Sequence, residues 1–300
     1  MRRVLVLGAG GFVGRHLLDA LRQRGLEPRA LVRDPARAQA ALGARAEGLA
    51  LVAGDVTDRA SVLRACEGCD ALVHLVAVEF EKGAMTFERV HVEGTEHTVS
   101  AAAEAGLRRV VYLGQISPGG AMPSLRFTYT KWLGEERVRA SGLDYTVLRA
   151  GLVLGPGDHF LREVTKLSRL PVVPLAGGGG TLFQPLGVWD LAEALARCVS
   201  DTGTVGETLD LAGPERVTYR ALTARALVAL GRPRPLVALP SAALWGPAWL
   251  AQAVLPRPPL TPDLLRLLAI DNVTDQSALG ALLGREPAGV DEVLRRALGG

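Results

Sequence analysis

Short apolar runs alternate with longer stretches in which apolar residues recur every three or four positions, and this alternation fills the first half of the chain. Val4–Leu7 is an unbroken apolar run, followed by helical spacing from Phe12 to Arg24. Pro28–Val32, Leu49–Ala53, Ala71–Val76, Val110–Leu113 and Tyr145–Arg149 read as further strands. Pro35–Leu42 reads as a helix with Asp34 as its N-cap, and Phe87–Ala105 as a long helix stopped by Gly106. Another helix is expected around Lys131–Ser141. Strands that are apolar throughout, separated by helices, predict an α/β fold with a doubly wound parallel sheet covered on both faces.

After Gly151 the pattern loosens. Gly155–Asp158 reads as a turn and Gly177–Gly180 as a connector. Helices are expected at Trp189–Val199, Tyr219–Leu230, Ser241–Leu255, Pro262–Ala269, Ser277–Leu283 and Val290–Leu298, with Arg232–Pro240 as a proline-rich link. The expected organisation is an α/β domain over residues 1–150. A smaller, mostly helical lobe over 151–300 is partly interleaved with the sheet.

Composition narrows the picture without changing it. Of 300 residues, 48% are hydrophobic and 22% charged, enough for a folded core. A net charge of +3, from 34 basic and 31 acidic residues, leaves no basic surplus for nucleic acid. Three cysteines make no disulfide framework, and the Cys66-x-x-Cys69 pair lacks a second pair for zinc, so no metal is expected. A reducing, cytoplasmic setting follows. The first apolar run stops at Gly8, which reads as a buried strand and not as a leader, and no run reaches the ~20 apolar residues needed to span a bilayer.

The chemistry begins at Gly8-Ala9-Gly10-Gly11-Phe12-Val13-Gly14, between the first strand and its helix. Gly8 permits a tight turn, Gly11 lets the backbone approach a pyrophosphate, and Gly14 lets the helix pack on the strand. The helix N-terminus adds N–H groups and partial positive charge. A dinucleotide cofactor is therefore expected. At the end of the second strand stands Arg33, followed by Asp34, with Arg15 and Arg37 nearby. A basic residue there suits a 2′-phosphate, so NADP(H) is favoured over NAD(H), which Asp34 keeps open.

With these residues the chain resembles the short-chain dehydrogenase/reductase superfamily, in its extended and atypical branches, over about residues 1–215. Gly54-Asp55-Val56-Thr57-Asp58 is similar to the segment that sets an Asp against adenine, and Val73-His74-Leu75-Val76-Ala77 to the fourth-strand segment lining the cofactor. Leu148 to Asp158 resembles the loop beside the nicotinamide. The resemblance thus implies cofactor contacts from Asp55, Val56, Leu75, Val76, Ala77, Ala150, Gly151 and Leu152. It also implies a homodimer paired through the helix after the fifth strand.

The superfamily's catalytic Tyr and Lys stand four apart on one helix, with a Ser or Thr after the fifth strand and often an Asn. Here Lys131 holds the lysine place, as a ribose-binding group, but Phe127 stands four residues before it. Tyr129 takes the role only if the helix entry is non-helical, because two helical steps turn it by ~200°. Gly114 and Gln115 replace the serines, and His91 the Asn. Lys131, Tyr129, His91 and Gln115 are the candidate catalytic groups. Loss of the proton donor costs ~10²–10⁴-fold in rate.

Pro259-Leu260-Thr261-Pro262-Asp263-Leu264-Leu265-Arg266-Leu267-Leu268 and Asp271-Asn272-Val273 resemble bacterial relatives of the NADPH-binding accessory subunit of respiratory complex I. That resemblance implies a structural or regulatory nucleotide-binding protein, with association to a respiratory complex. The alternatives are an oxidoreductase or a sugar-nucleotide epimerase- or dehydratase-like enzyme using substitute groups, or an NADPH-dependent quinone reductase; any small-molecule substrate is unidentified. Trp245 and Trp249 share a helix face; this helix either packs on the protein body or attaches peripherally to the inner membrane.

Overall fold

The computed structural model describes residues 2–117, 122–255 and 260–299, so Pro259 of the motif above lies outside the described residues. In chain order the elements are β1 (Arg3–Leu7), α1 (Phe12–Gln23), β2 (Glu27–Val32), α2 (Pro35–Leu42), β3 (Ala50–Ala53), α3 (Arg59–Cys66), β4 (Ala71–His74), α4 (Gly94–Glu104), β5 (Arg109–Gln115), α5 (Arg126–Arg139) and β6 (Asp144–Ala150). There follow β7 (Val153–Leu154), α6 (His159–Leu167), β8 (Val173–Ala176), β9 (Leu182–Phe183), β10 (Leu186–Gly187), α7 (Val188–Ser200) and β11 (Thr208–Leu211). The chain closes with β12 (Val217–Thr218), α8 (Tyr219–Ala229), β13 (Leu236–Leu239), α9 (Ser241–Val254), α10 (Pro262–Leu267), α11 (Leu279–Leu283) and α12 (Val290–Leu298).

Two units emerge. The first comprises Met1–Ala150, Val188–Leu211 and Ala278–Gly284. Its seven-stranded sheet runs β11-β6-β5-β4-β1-β2-β3, every neighbouring pair parallel. Parallel strands demand crossovers, and these place helices on both faces: α1 packs on α7, while α3, α4 and α5 pack in a row. Leu5, Leu7, Leu72, Val110 and Val147 are wholly buried, each contributing about 1.5–3 kcal/mol by leaving water. Strand order reverses between β1 and β4, and the crevice outside the carboxyl ends there is where an open sheet of this kind binds ligands.

Several expected elements came out differently; the link expected at Arg232–Pro240 contains the strand β13, paired with β8. β4 stops at His74, two residues early, because the Val76 N–H turns to the His74 Nδ1 (3.2 Å). The long helix splits into a π-helical turn at Glu88–Glu93 followed by α4, and the widened turn carries Val90, His91 and Val92 all inward. α5 begins at Arg126, where the guanidinium makes a two-pronged ion pair with Glu81 (2.8 and 3.0 Å). The seventh strand, β11, was not announced because Thr208 and Asp210 break its apolar run.

The second unit comprises Gly151–Gly187, Ala212–Ser277 and Arg285–Gly300. It holds three two-stranded pairs, β7 with β10, β9 with β12 and β8 with β13, and helices α6, α8 and α12 in mutual contact through α8. Glu215 ties α8 to α12, accepting from the Arg225 guanidinium (2.8 Å) and the Val290 N–H (2.9 Å). Among the described residues no helix is long and apolar enough to cross a membrane.

Candidate functional site

β1 delivers the chain to Gly8, whose φ of +90° lies in the left-handed region, against the backbone of Leu75. The Gly11 N–H donates to the Gly8 carbonyl (3.0 Å), closing the turn. A Cβ on Gly14 would overlap the Gly8 oxygen, so only glycine lets α1 sit this close. Gly10 faces open space, and Phe12 and Val13 open α1 half-buried. No side chain caps α1 and no acidic residue stands in its first turn. The Arg15 Nε is buried without a hydrogen-bond partner among the described residues. Uncapped N–H groups, room beside Gly10 and an unmatched guanidinium nitrogen together fit a dinucleotide's phosphates.

At the end of β2, Asp34 caps α2 by accepting from the Arg37 N–H (3.0 Å), while Arg33 and Arg37 are exposed. The acidic group is thus engaged with a helix end, and the arginines face solvent. After β3, the Asp55 Oδ1 accepts from both the N–H and the hydroxyl of Thr57 (2.9 Å each), which fixes its carboxylate half-buried. Val56 is buried against Gly94.

Two histidines hold the segment after β4. The Leu75 N–H donates to the Leu7 carbonyl (3.0 Å), the Val76 N–H to the His74 Nδ1 (3.2 Å) and the Val78 N–H to the His91 Nε2 (3.1 Å); Ala77, between them, is exposed. A ring nitrogen that accepts carries no proton, so neutral His74 bears its proton on Nε2 and neutral His91 on Nδ1. The His74 Nε2 faces the Thr95 hydroxyl (3.4 Å) and the His91 Nδ1 that of Thr130 (2.9 Å). Burial, and then the nearby Lys131 charge, push both down to about 3. They stand as neutral braces with both ring nitrogens engaged.

On α5 the Tyr129 N–H bonds to the Leu125 carbonyl (2.9 Å), so Tyr129 is already helical. Its ring stacks on Trp132 (5.8 Å) instead of sharing the face of Phe127 and Lys131. Phe127 packs edge-on to Phe87 (5.7 Å) and His91 (5.6 Å). Lys131 is buried, donates from Nζ to the Leu113 carbonyl (2.7 Å) and lies 4.9 Å from the Tyr112 ring centre. Burial lowers its pKa to about 8, with Glu135 acting in the opposite sense.

The serine place is filled from elsewhere. A Cβ on Gly114 would overlap the Glu135 Oε1, so a serine there would displace this carboxylate. Glu135 is buried and paired with the Arg149 Nε (2.8 Å) and an Arg139 nitrogen (3.0 Å). Gln115, next along β5, is half-buried. The Glu135 network, the His74 brace and the orphaned Arg15 atom went unpredicted. A glycine at the serine place and a glutamate four residues after Lys131 were the available signal.

Ala150 ends β6, its carbonyl accepting from the Ile116 N–H (3.0 Å). In the second unit, Gly151 and Leu152 are half-buried, and the Leu152 carbonyl accepts from the Leu186 N–H (3.0 Å). Asp158 accepts from the Gly155 N–H (2.8 Å) and caps α6 at the Leu161 N–H (2.7 Å); burial raises its carboxyl pKa. The Cys66 thiol is pushed up to about 12 by burial and that of Cys69 is raised by the same cause, which leaves this pair poorly nucleophilic.

Comparison with known proteins agrees with this geometry. The family described as NAD(P)H-binding matches residues 8–165. The mouse mitochondrial NADH dehydrogenase [ubiquinone] 1 alpha subcomplex subunit 9 is 28% identical over 220 residues, 70% of this chain and 56% of that protein. This chain therefore spans little more than half the length of that relative. The ceramide reductase of Caulobacter vibrioides is 32% identical over 175 residues, 57% of this chain and 53% of the reductase. The structure of an NADPH-dependent quinone oxidoreductase from Escherichia coli, in complex with NADPH, superposes with a TM-score of 0.74 at 24% identity, covering 97% of this chain and 98% of that one. The resemblance to the complex I accessory subunit, the doubly wound parallel sheet and the glycine-loop cradle thus point one way: this chain belongs to the NAD(P)H-binding family.

Proposed function

We propose that this chain is an NADP(H)-binding accessory protein related to the complex I subunit, holding its nucleotide without the proton transfer of an alcohol dehydrogenase. The observation that carries this is Phe127, which stands where the donor hydroxyl belongs, wedged against Phe87 and His91. Gly114, beside the buried Glu135, removes the second hydroxyl. In this reading Gly8, Gly10, Gly11 and Gly14 pass the phosphates to the start of α1, with Phe12 and Val13 supplying N–H groups. Arg33, with Arg15 and Arg37, meets a 2′-phosphate. Asp55 and Val56 border the adenine, and Leu75, Val76 and Ala77 form the wall that His74 and His91 brace. Lys131 holds the nicotinamide ribose, and Ala150, Gly151 and Leu152 continue past the carboxyl end of β6. The chemistry such a cofactor would supply is hydride transfer, which this reading leaves unused. His91 and Gln115 position backbone and ligand in this scheme, and Tyr129 takes no part. Peripheral placement in a respiratory assembly belongs to the same reading, supported by the likeness to the mouse subunit.

The test is calorimetric titration with NADPH and NADH, alongside a turnover assay with carbonyl substrates. Tighter NADPH binding that Arg33→Ala abolishes, with no turnover, is the expected result. Steady carbonyl reduction by the unmodified protein would remove the accessory reading, and equal affinities would remove the role of Arg33.

A second reading is NADPH-dependent quinone reduction. It is favoured by the fold shared with the Escherichia coli quinone oxidoreductase and by the missing hydroxyl itself, because a quinone accepts hydride and then takes its proton from water. Quinone-dependent loss of NADPH absorbance separates the two.

A further inference from the structure

The second unit carries a surface for which nucleotide binding has no use. α9 is 14 residues long, has no charged side chain and buries only Ala248. Trp249, Leu250 and Val254 are 60%, 67% and 69% exposed. Single exposed apolar residues are ordinary, but a helix that is apolar all round is normally buried. At 1.5 Å per residue α9 is ~21 Å long, short of the ~30 Å hydrocarbon core, so it can lie on a bilayer but not span one.

Charge identifies the occupant. Of the chain's 34 basic and 31 acidic residues, four arginines and one aspartate fall between Gly231 and Ile270. The whole surplus of +3 therefore sits in the segment that contains α9, and the rest of the chain is neutral. Arg232 and Arg234 precede the helix. Arg266 follows it, with its guanidinium 5.1 Å from the Trp245 ring centre, and also pairs with Asp263, the segment's single acid. A protein interface would bring a polar rim, whereas α9 offers little beyond Ser241 and Gln252. An apolar helix with cationic flanks complements anionic lipid.

We propose that α9 lies flat on an anionic bilayer surface, with Trp249, Leu250 and Val254 entering the acyl boundary and Arg232 and Arg234 meeting lipid phosphates. This deepens the peripheral placement given above and is independent of how the nucleotide is used.

The test is flotation of the full chain with vesicles of phosphatidylcholine alone, or mixed with phosphatidylglycerol at about seven to three, with NADPH affinity measured on the same samples. Binding to the mixed vesicles at least about tenfold above the neutral ones is expected, falling as salt is raised. The W249E/L250E variant should lower vesicle binding at least about tenfold, and R232Q/R234Q about tenfold, with NADPH affinity unchanged in both. No vesicle binding, equal binding to both compositions, or a dimer that W249E/L250E abolishes would overturn the proposal. If NADPH still binds in that event, the nucleotide reading stands; if vesicles bind and NADPH does not, only the nucleotide reading fails.

Discussion

The entrance of α1 and the entrance of α5 are built from the same materials to opposite ends. Neither helix has a side-chain cap, but at α1 a glycine opens space beside it and the Arg15 Nε is buried without a partner among the described residues. At α5 the surrounding groups satisfy one another: Thr130 meets His91, Glu81 meets Arg126, and Phe127 packs between rings. The Arg29 and Arg197 Nε atoms are also buried without a partner among the described residues, so it is the open glycine turn together with the orphaned Arg15 atom that marks where a ligand belongs. Under the function proposed above, met groups at α5 are what chemistry given up for packing would leave. In the proposed reading, one sheet presents a nucleotide cradle beside a reaction centre filled by packing.

The most damaging way to break the contrast is at the cradle. Gly14→Val should abolish NADPH binding by calorimetry and cost about 3 kcal/mol or more in urea unfolding, because its side chain meets the β1–α1 turn. Normal binding by this variant would place the phosphates elsewhere.

Acid should loosen the braces next. His74 and His91 titrate near 3 when folded and near 6.5 when unfolded, so the unfolded chain binds more protons between those values. Their contribution is full above about pH 6.5 and drains as pH falls toward 3. Lowering the pH from 7.5 to 4.5 should cost roughly 2–3 kcal/mol per histidine. His91→Gln should remove about half of that loss, and an unchanged pH slope would mean that His91 is not held neutral.

Glu135→Gln should destabilise by about 2 kcal/mol, below the range for a fully buried pair because Arg139 and Arg149 keep some solvent. A thermal melt indistinguishable from the parent would show that the network is idle. Lys131→Met should weaken NADPH binding by about tenfold, near 1.4 kcal/mol, through one lost charge-assisted hydrogen bond. Phe127→Tyr sits at the small end: NADPH affinity should shift by less than about 0.5 kcal/mol. A large loss would mean that Phe127 touches the cofactor. Gain of carbonyl reduction would instead sharpen the contrast, since one oxygen would have reopened the closed centre.

Legibility followed the range of the interaction. The glycine loop, the Asp34 cap and the parallel strands rest on neighbours a few residues apart, and they were readable. The Phe127–Lys131 spacing was equally local, which is why a ring without a hydroxyl four residues before the lysine was visible before any fold. The start of α5 was not, since Arg126 pairs there with Glu81, 45 residues away in the chain.

What the amino-acid order determined by itself was the α/β alternation, the dinucleotide loop and a phenylalanine four residues before Lys131, because backbone propensity and residue identity suffice for those. Only the tertiary structure decided that Glu135 reaches back to fill the notch at Gly114, or that two histidines adopt opposite tautomers to hold one wall. It also decided that α9 keeps its apolar surface outward. Each depends on burial and on partners brought together from distant stretches of chain, and a one-dimensional pattern carries neither.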